Sequence, residues 1–232
     1  MRTEGSDRGA RLRAVCDALV MLATLIITRA VCRAAGLQFG AGSVATVAAL
    51  LVATVLLRRR GLTWRDLGVR APERPERAVM VGVGLLFTAE IVVPPLAILL
   101  ASWLHLPAQG REAQVFGFLR GDPWLLFVML VPVGWGGAAF GEEMLHRAFL
   151  ATRLELALGG GRVATVASAV LQAAGFGLLH AYLGPAAVLK AGLLGLASSI
   201  AYFSFGRNLW PLIIVHGVVD SIGLIALYLG AA

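Results

Sequence analysis

An all-α bundle of transmembrane helices is the fold this sequence predicts, and three observations predict it. Of its 232 residues, 59% are hydrophobic and only 14% are charged, with a mean hydropathy of +0.83. A soluble domain carries about 25% charged residues. Apolar runs of about 20 residues, the length of a membrane-crossing helix, recur along the chain. The period-two alternation of a membrane barrel is absent from them. The expected count is about seven spans, or eight if residues 123–158 divide into two helices. They form one transmembrane domain at 15–232, after a polar tail at 1–14.

The net charge of +7 is carried almost wholly by arginine, with Lys190 the single lysine. These arginines sit between apolar segments, where topology and anionic lipid head groups account for them, and nucleic acid is not an expected partner. Cys16 and Cys32 lie in the first apolar segment. Sixteen helical residues separate them by roughly 24 Å, too far for a disulfide within one helix. They read as small packing residues without metal-ligand spacing. The first apolar run holds Arg29 and Arg33 and shows no clear cleavage site, so it is not read as a secretory signal.

Taken in order, the tail carries Arg2, Arg8, Arg11 and Arg13 and is expected in the cytoplasm. The first helix runs near 15–35, interrupted by Asp17, Arg29 and Arg33, whose long side chains can snorkel. The second runs near 41–57 after the flexible Gly36-to-Gly42 region. Arg58-Arg59-Arg60 then opens a loop continuing through Arg65, Arg70, Arg74 and Arg77, and these seven arginines are a strong positive-inside signal. Two spans precede that loop, so it shares a side with the N-terminus. Both cues put that side in the cytoplasm.

The third helix covers about 78–103 and contains Glu90 and Pro94-Pro95. Glu90 reads either as a functional acid or as a carboxylate bonded to a neighbouring helix near a kink. Residues 104–122, with His105, Gln109, Gly110, Arg111 and Glu112, form a polar external segment, and His105 reads as interfacial. From Pro123 the chain is apolar to about Leu158, with breaks expected at Pro132, Gly134 and Gly136-Gly137. Gly159-Gly160-Gly161 ends it. The fifth helix is expected at about 162–182, the sixth at 186–205 and the seventh from Trp210 to about Leu229.

Polar residues within these apolar runs need a reason, since acids cost several kcal/mol in a bilayer unless paired or wet. Glu142 and Glu143 are adjacent. Glu143 and Arg147, four apart, share a face and can pair, while Glu142 points about 100° away, with His146 four residues on. On the fifth helix Gln172, Phe176 and His180 recur every four residues, and on the seventh His216 and Asp220 share a face. Counted from the triple-glycine turn at 1.5 Å per residue, Glu142 and His180 reach similar depth, within roughly 5 Å. The depth of His216 is not fixed by such a count. A glutamate beside water can act as general base, and glutamate with two imidazoles is also a hydrolytic zinc ligand set. Either version yields an activated water, for which amide hydrolysis is the natural reaction. A packing role for each residue taken singly is the competing reading.

Glu142-Glu143-x-x-x-Arg147, then Phe176-x-x-x-His180, then His216-x-x-x-Asp220, resembles the three-motif signature of the CPBP intramembrane proteases. That family groups type II CAAX prenyl endopeptidases with bacteriocin-processing and immunity (Abi) proteins. The resemblance covers about 120–225, and Gly61-Leu62-Thr63-Trp64-Arg65-Asp66-Leu67-Gly68 is similar to a juxtamembrane element of the family. It implies a helical membrane endopeptidase with its site sunk in the bilayer and open toward the cytoplasm. It implies catalytic roles at Glu142, Glu143, His180, His216 and Asp220, with Arg147 and Phe176 in support. Glu142 with His180 would activate water, and His216 and Asp220 would stabilise the oxyanion or, with Glu142 and His180, complete a zinc site. A metal-independent glutamate mechanism stays open beside zinc.

Three positions depart from the pattern. His146 stands where an aromatic residue is common, Ala148 where glycine is usual, and Asp220 where many members have asparagine. An ionised Asp220 would repel a developing oxyanion but would serve well as a metal ligand. The expected function is hydrolysis near the C-terminus of a small or lipid-modified peptide or protein at the cell membrane. A non-catalytic peptide-binding immunity protein is the alternative. A proton-coupled transporter using Glu90 and Glu142 is a remote one, disfavoured by the absence of an inverted half-repeat. Substrate identity and oligomeric state stay open.

Overall fold

A computed structural model describes residues 4–37, 40–107 and 111–231, the side chains of 4–7 excepted. Arg2 of the tail, Gln38 and Phe39 of the first turn, and Gln109 and Gly110 of the external segment lie outside the described residues. The described chain contains helices and no strands, and seven helices are long and apolar enough to cross a membrane. They are α1 (Glu4–Ala34), α2 (Ala41–Arg59), α3 (Pro75–Trp103), α4 (Pro123–Ala157), α5 (Gly161–Leu179), α6 (Pro185–Ser204) and α7 (Trp210–Leu229). A short helix, Glu112–Phe116, lies between α3 and α4. The chain is a multi-pass membrane protein in form.

Two elements differ from the sequence expectation. Helix α1 starts at Glu4, running through most of the tail, where no proline stops it. Helix α4 is one continuous span, so the division of 123–158 into two is not taken. From Met129 to Leu150 it winds in the wide π register, and at the end of that stretch the Ala151 N–H bonds His146 O, five residues back. Pro132 lies inside the stretch and removes one donor without breaking the helix. Helix α3 makes the same adjustment over one turn, Thr88–Val92, just before Pro94 and Pro95. Such π turns cluster at functional sites.

Helix α4 is the centre of the bundle, packed against α1, α2, α5 and α7, while α3 lies on α6 and α7. Helix α2 approaches through a stripe of small residues: Ala41, Ala45, Ala49 and Ala53, four apart, are buried, with Leu57 completing the line. Small side chains let helices come close where lipid supplies no hydrophobic drive. Gly177 serves the same purpose between α5 and α6, since a Cβ there would meet Val188 O at 2.5 Å.

The end of the bundle that carries the N-terminus is locked by polar contacts. Asp17, only 2% exposed, accepts two bonds from Arg60, at 2.8 Å from Nη2 and 3.1 Å from Nε. That pair explains a carboxylate in the first span. Trp64 Nε1 donates to Thr54 Oγ1 at 2.9 Å, Tyr202 Oη donates to Leu67 O at 2.8 Å, and Leu209 N donates to Gly68 O at 3.1 Å. Gly68 has φ +106, and a Cβ there would stand 1.9 Å from Arg207 O. The segment similar to a family juxtamembrane element thus fastens the end of α2 to the α6–α7 turn. Within it, hydrogen bonds from the Thr63 hydroxyl and Thr63 N–H hold the Asp66 carboxyl below its usual range.

Candidate active site

The carboxylate of Glu143 joins two helices. Its Oε1 lies 3.0 Å from Arg147 Nη1 within α4 and 2.9 Å from His216 Nδ1 on α7. Spacing along one helix assigns Glu143 to Arg147, but only the packed bundle shows the second partner. A carboxylate accepts, so Nδ1 of His216 donates and its Nε2 faces away from Glu143. Nε2 lies 3.6 Å from Asp220 Oδ2, beyond a hydrogen bond but close enough for charge attraction. Glu143 and Arg147 are each 1% exposed, and the ion pair misses hydrogen-bond alignment, leaving Glu143 Oε2 and Arg147 Nε without partners.

Phe176 holds this cluster from α5. The Arg147 guanidinium lies over its ring at 4.2 Å, and the rings of His146, His180 and His216 surround it at 5.2, 4.9 and 6.3 Å. A cation over an aromatic face is attracted by the ring quadrupole. The edge contact of His146 gives the imidazole at that position the place of an aromatic side chain. Ala148 is fully buried, so the methyl group at a position where glycine is usual is accommodated.

Helix α5 ends at Leu179, earlier than expected, and this places His180 on the cap. Its Nδ1 reaches back to Phe176 O at 2.9 Å. Carbonyls in a last helical turn lack partners, and the ring supplies one. With Nδ1 donating to that carbonyl, Nε2 is left as an acceptor. Gln172 is absorbed elsewhere, its side-chain oxygen accepting from Ser199 on α6.

Glu142, Glu143, Arg147, Phe176, His180, His216 and Asp220 all line one cavity of about 450 Å³. Three helices thus bring their polar stripes to one space. Among the described residues, no three His, Cys, Asp or Glu side chains form a group placed to hold a metal ion. The cavity also takes in residues the sequence did not mark as part of a site: Arg29 and Arg33 of α1, Glu112, Tyr182 and Lys190. Tyr182 lies outside the spans, and burial, followed by the nearby Glu142 charge, pushes its phenol above the usual range, so it stays protonated at neutral pH. Glu90 does not line the cavity that holds Glu142, so the two acids of a proton relay are not brought together there. His105 is exposed at the end of α3, and both cysteines are free.

The outer lining comes from the ends of α1, α5 and α7 and the starts of α2 and α6. That face is opposite the one bearing the N-terminus and the Arg58–Arg77 loop. A site open toward the cytoplasm and a cytoplasmic N-terminus therefore point to opposite faces.

Residues 122–222 match the family model described as type II CAAX prenyl endopeptidase Rce1-like. No curated protein and no solved structure matches the chain. The matched stretch covers α4 to α7, the helices that supply every residue of the three-motif signature. Over residues 122–222 the protein is thus similar to the Rce1-like type II CAAX prenyl endopeptidases, in keeping with the resemblance its three motifs carry.

Proposed function

We propose that this protein is an intramembrane endopeptidase in which Glu142 is the general base, acting on a peptide or lipid-modified protein at the cell membrane. One observation carries this reading: Glu142, His180, His216 and Asp220, from three helices, line a single cavity, while Oε1 of the neighbouring Glu143 is held between Arg147 and His216. Glu142 is thereby the carboxylate left for chemistry, and Glu143 positions His216.

In this mechanism a water donates one O–H to His180 Nε2, which orients it, and loses its other proton to Glu142. The hydroxide attacks the scissile carbonyl carbon, and Nε2–H of His216 stabilises the charge on the carbonyl oxygen. Because Nδ1–H is given to Glu143, His216 carries this second N–H as an imidazolium, and Asp220, 3.6 Å from Nε2, supplies counter-charge and acts through His216 rather than on the substrate. The carbon–nitrogen bond then breaks, and the proton held by Glu142 passes to the leaving nitrogen. The products are a carboxylate and an amine. The donors do not converge as a metal group, so no step is routed through zinc.

The test is cleavage of a fluorogenic peptide by purified protein in micelles. Glu142→Gln is expected to lower the rate by about 10²–10⁴-fold, the usual worth of a general base, with Tm unchanged. Unchanged cleavage would refute the reading. Protection against a peptide toxin that persists in Glu142→Gln and His180→Ala would point to the non-catalytic immunity reading instead. Metal analysis with chelation completes the test: activity is expected to survive chelation, and loss restored by zinc would assign the cavity's donors to a metal.

A further inference from the structure

Trp135 and Glu143 both stand in the π-wound part of α4, and the indole of Trp135 lies on α7. Gly217 makes that approach possible. A Cβ there would meet Cε3 and Cζ3 of the ring at 2.6 Å and Cδ2 at 2.7 Å. Indole Nε1 donates to Ser221 Oγ at 3.1 Å, and the Ser221 hydroxyl donates to Gly217 O at 2.6 Å. Hydrocarbon offers an indole N–H no acceptor, so within this membrane-spanning helix Ser221 supplies it. The ring thus touches Gly217 and is tied back to the same residue through the next turn of α7.

The residues held in this way are offset by one from the catalytic candidates. Gly217 follows His216 and Ser221 follows Asp220, so at about 100° per residue they form a second face of α7. His216 and Asp220 line the cavity, whereas Trp135, Gly217 and Ser221 do not. Helix α4 therefore grips α7 on two faces, through Glu143 on His216 Nδ1 and through the indole on Gly217 and Ser221. Lipid supplies no apolar drive between helices, and specific contacts of this kind set rotation and depth. A rotation that withdrew His216 from Glu143 would press the Gly217 backbone into the ring or pull Ser221 off the indole.

Resting on the peptidase reading, we propose that Trp135 is a positioning residue for the hydrolytic site. Its indole, through Gly217 and Ser221, fixes the rotation of α7 so that His216 keeps Nδ1 on Glu143 and presents Nε2 to the cavity. Trp135 touches no substrate and acts wholly through His216. A shift of about 1 Å in a reacting group can cost up to about 10²-fold in rate, so loss of this grip shows in turnover.

The test uses the full chain in micelles with the fluorogenic peptide, in Trp135→Phe, Ser221→Ala and their combination. Each single change is expected to lower kcat about tenfold, with KM within about twofold of wild type. The double variant should lose no more than the slower single, because both changes remove one bond. Ser221→Thr keeps the hydroxyl and should restore the rate to within about threefold of wild type. Trp124→Phe, at an exposed indole of the same helix, should leave kcat unaltered. Protein made with isotope-labelled histidine supplies the second readout, the Nδ1–H magnetic resonance signal of His216, identified by its loss in His216→Gln. That signal is expected to shift or broaden in Trp135→Phe and Ser221→Ala and to return in Ser221→Thr. An unchanged kcat, or a His216 signal that does not move, overturns the inference. A rise in KM at constant kcat puts the indole against substrate and also overturns it, as do additive losses in the double variant or a threonine variant as slow as alanine. Where wild type itself cleaves nothing, the peptidase reading fails, and a moved His216 signal still leaves Trp135 as the residue that positions that ring.

Discussion

At the end of the bundle that carries the N-terminus, Asp17 holds Arg60 through two bonds, Glu155 holds Arg207 at 2.8 Å, and Asn208 and Tyr202 donate to backbone carbonyls of the 67–70 segment. At the cavity end, Arg29, Arg33 and Lys190 form no ion pair among the described residues. Both ends are rich in arginine, yet one uses it to fasten helices and the other leaves it facing a hollow. A paired charge contributes to the fold, and an unpaired one facing a cavity is available to a ligand. Glu143 stands between the two regimes, buried and doubly partnered at the cavity's inner wall.

Breaking that middle point should have the largest effect. Glu143→Gln leaves Arg147 buried without its counter-charge and frees His216, which should cost about 3–5 kcal/mol in detergent unfolding and abolish cleavage as well. Next is Gly68→Ala at the locked end, where the added Cβ meets a carbonyl and φ is positive, at a cost of about 3 kcal/mol. It should lower Tm while leaving the cleavage rate of the surviving fold intact. Asp17→Asn should cost about 2 kcal/mol, less than a fully buried pair because the Arg60 side chain is 31% exposed. Arg33→Gln is expected to move stability by no more than about 0.5 kcal/mol. A large loss of Tm there would mean that the cavity end is fastened too, and the contrast would fail.

The smallest effect concerns Asp66, on the exposed surface of the locked end. Its carboxyl is held below the ordinary range by Thr63, so the bonds it accepts contribute fully above that range and are lost as pH falls through the lowered value. Trp64 fluorescence followed on acidification should report that local loosening well before global unfolding, and a flat trace would contradict it.

Seven spans were legible because hydropathy over about 20 residues reports membrane crossing directly. The meeting of Glu142 with His180 was legible from equal distances to the triple-glycine turn. Three things were not. A helical wheel at 3.6 residues per turn cannot show the π register from Met129 to Leu150, which relaxes the effect of Pro132. The bond from His216 to Glu143 depends on how α7 lies against α4, and spacing within one helix carries no such information. Arg29 and Arg33 read as snorkelling side chains, because what surrounds them comes from helices distant in sequence.

The bond between Asp17 and Arg60 also bears on biogenesis. During synthesis α1 emerges with its carboxylate alone, and burying that group unpaired would cost several kcal/mol. The partner is made only after all of α2, at its far end. Helices α1 and α2 are therefore expected to enter the bilayer as a hairpin, with Asp17 leaving the water only once residue 60 has been translated. Truncation before Arg60 should leave α1 poorly integrated, and extension past it should restore insertion.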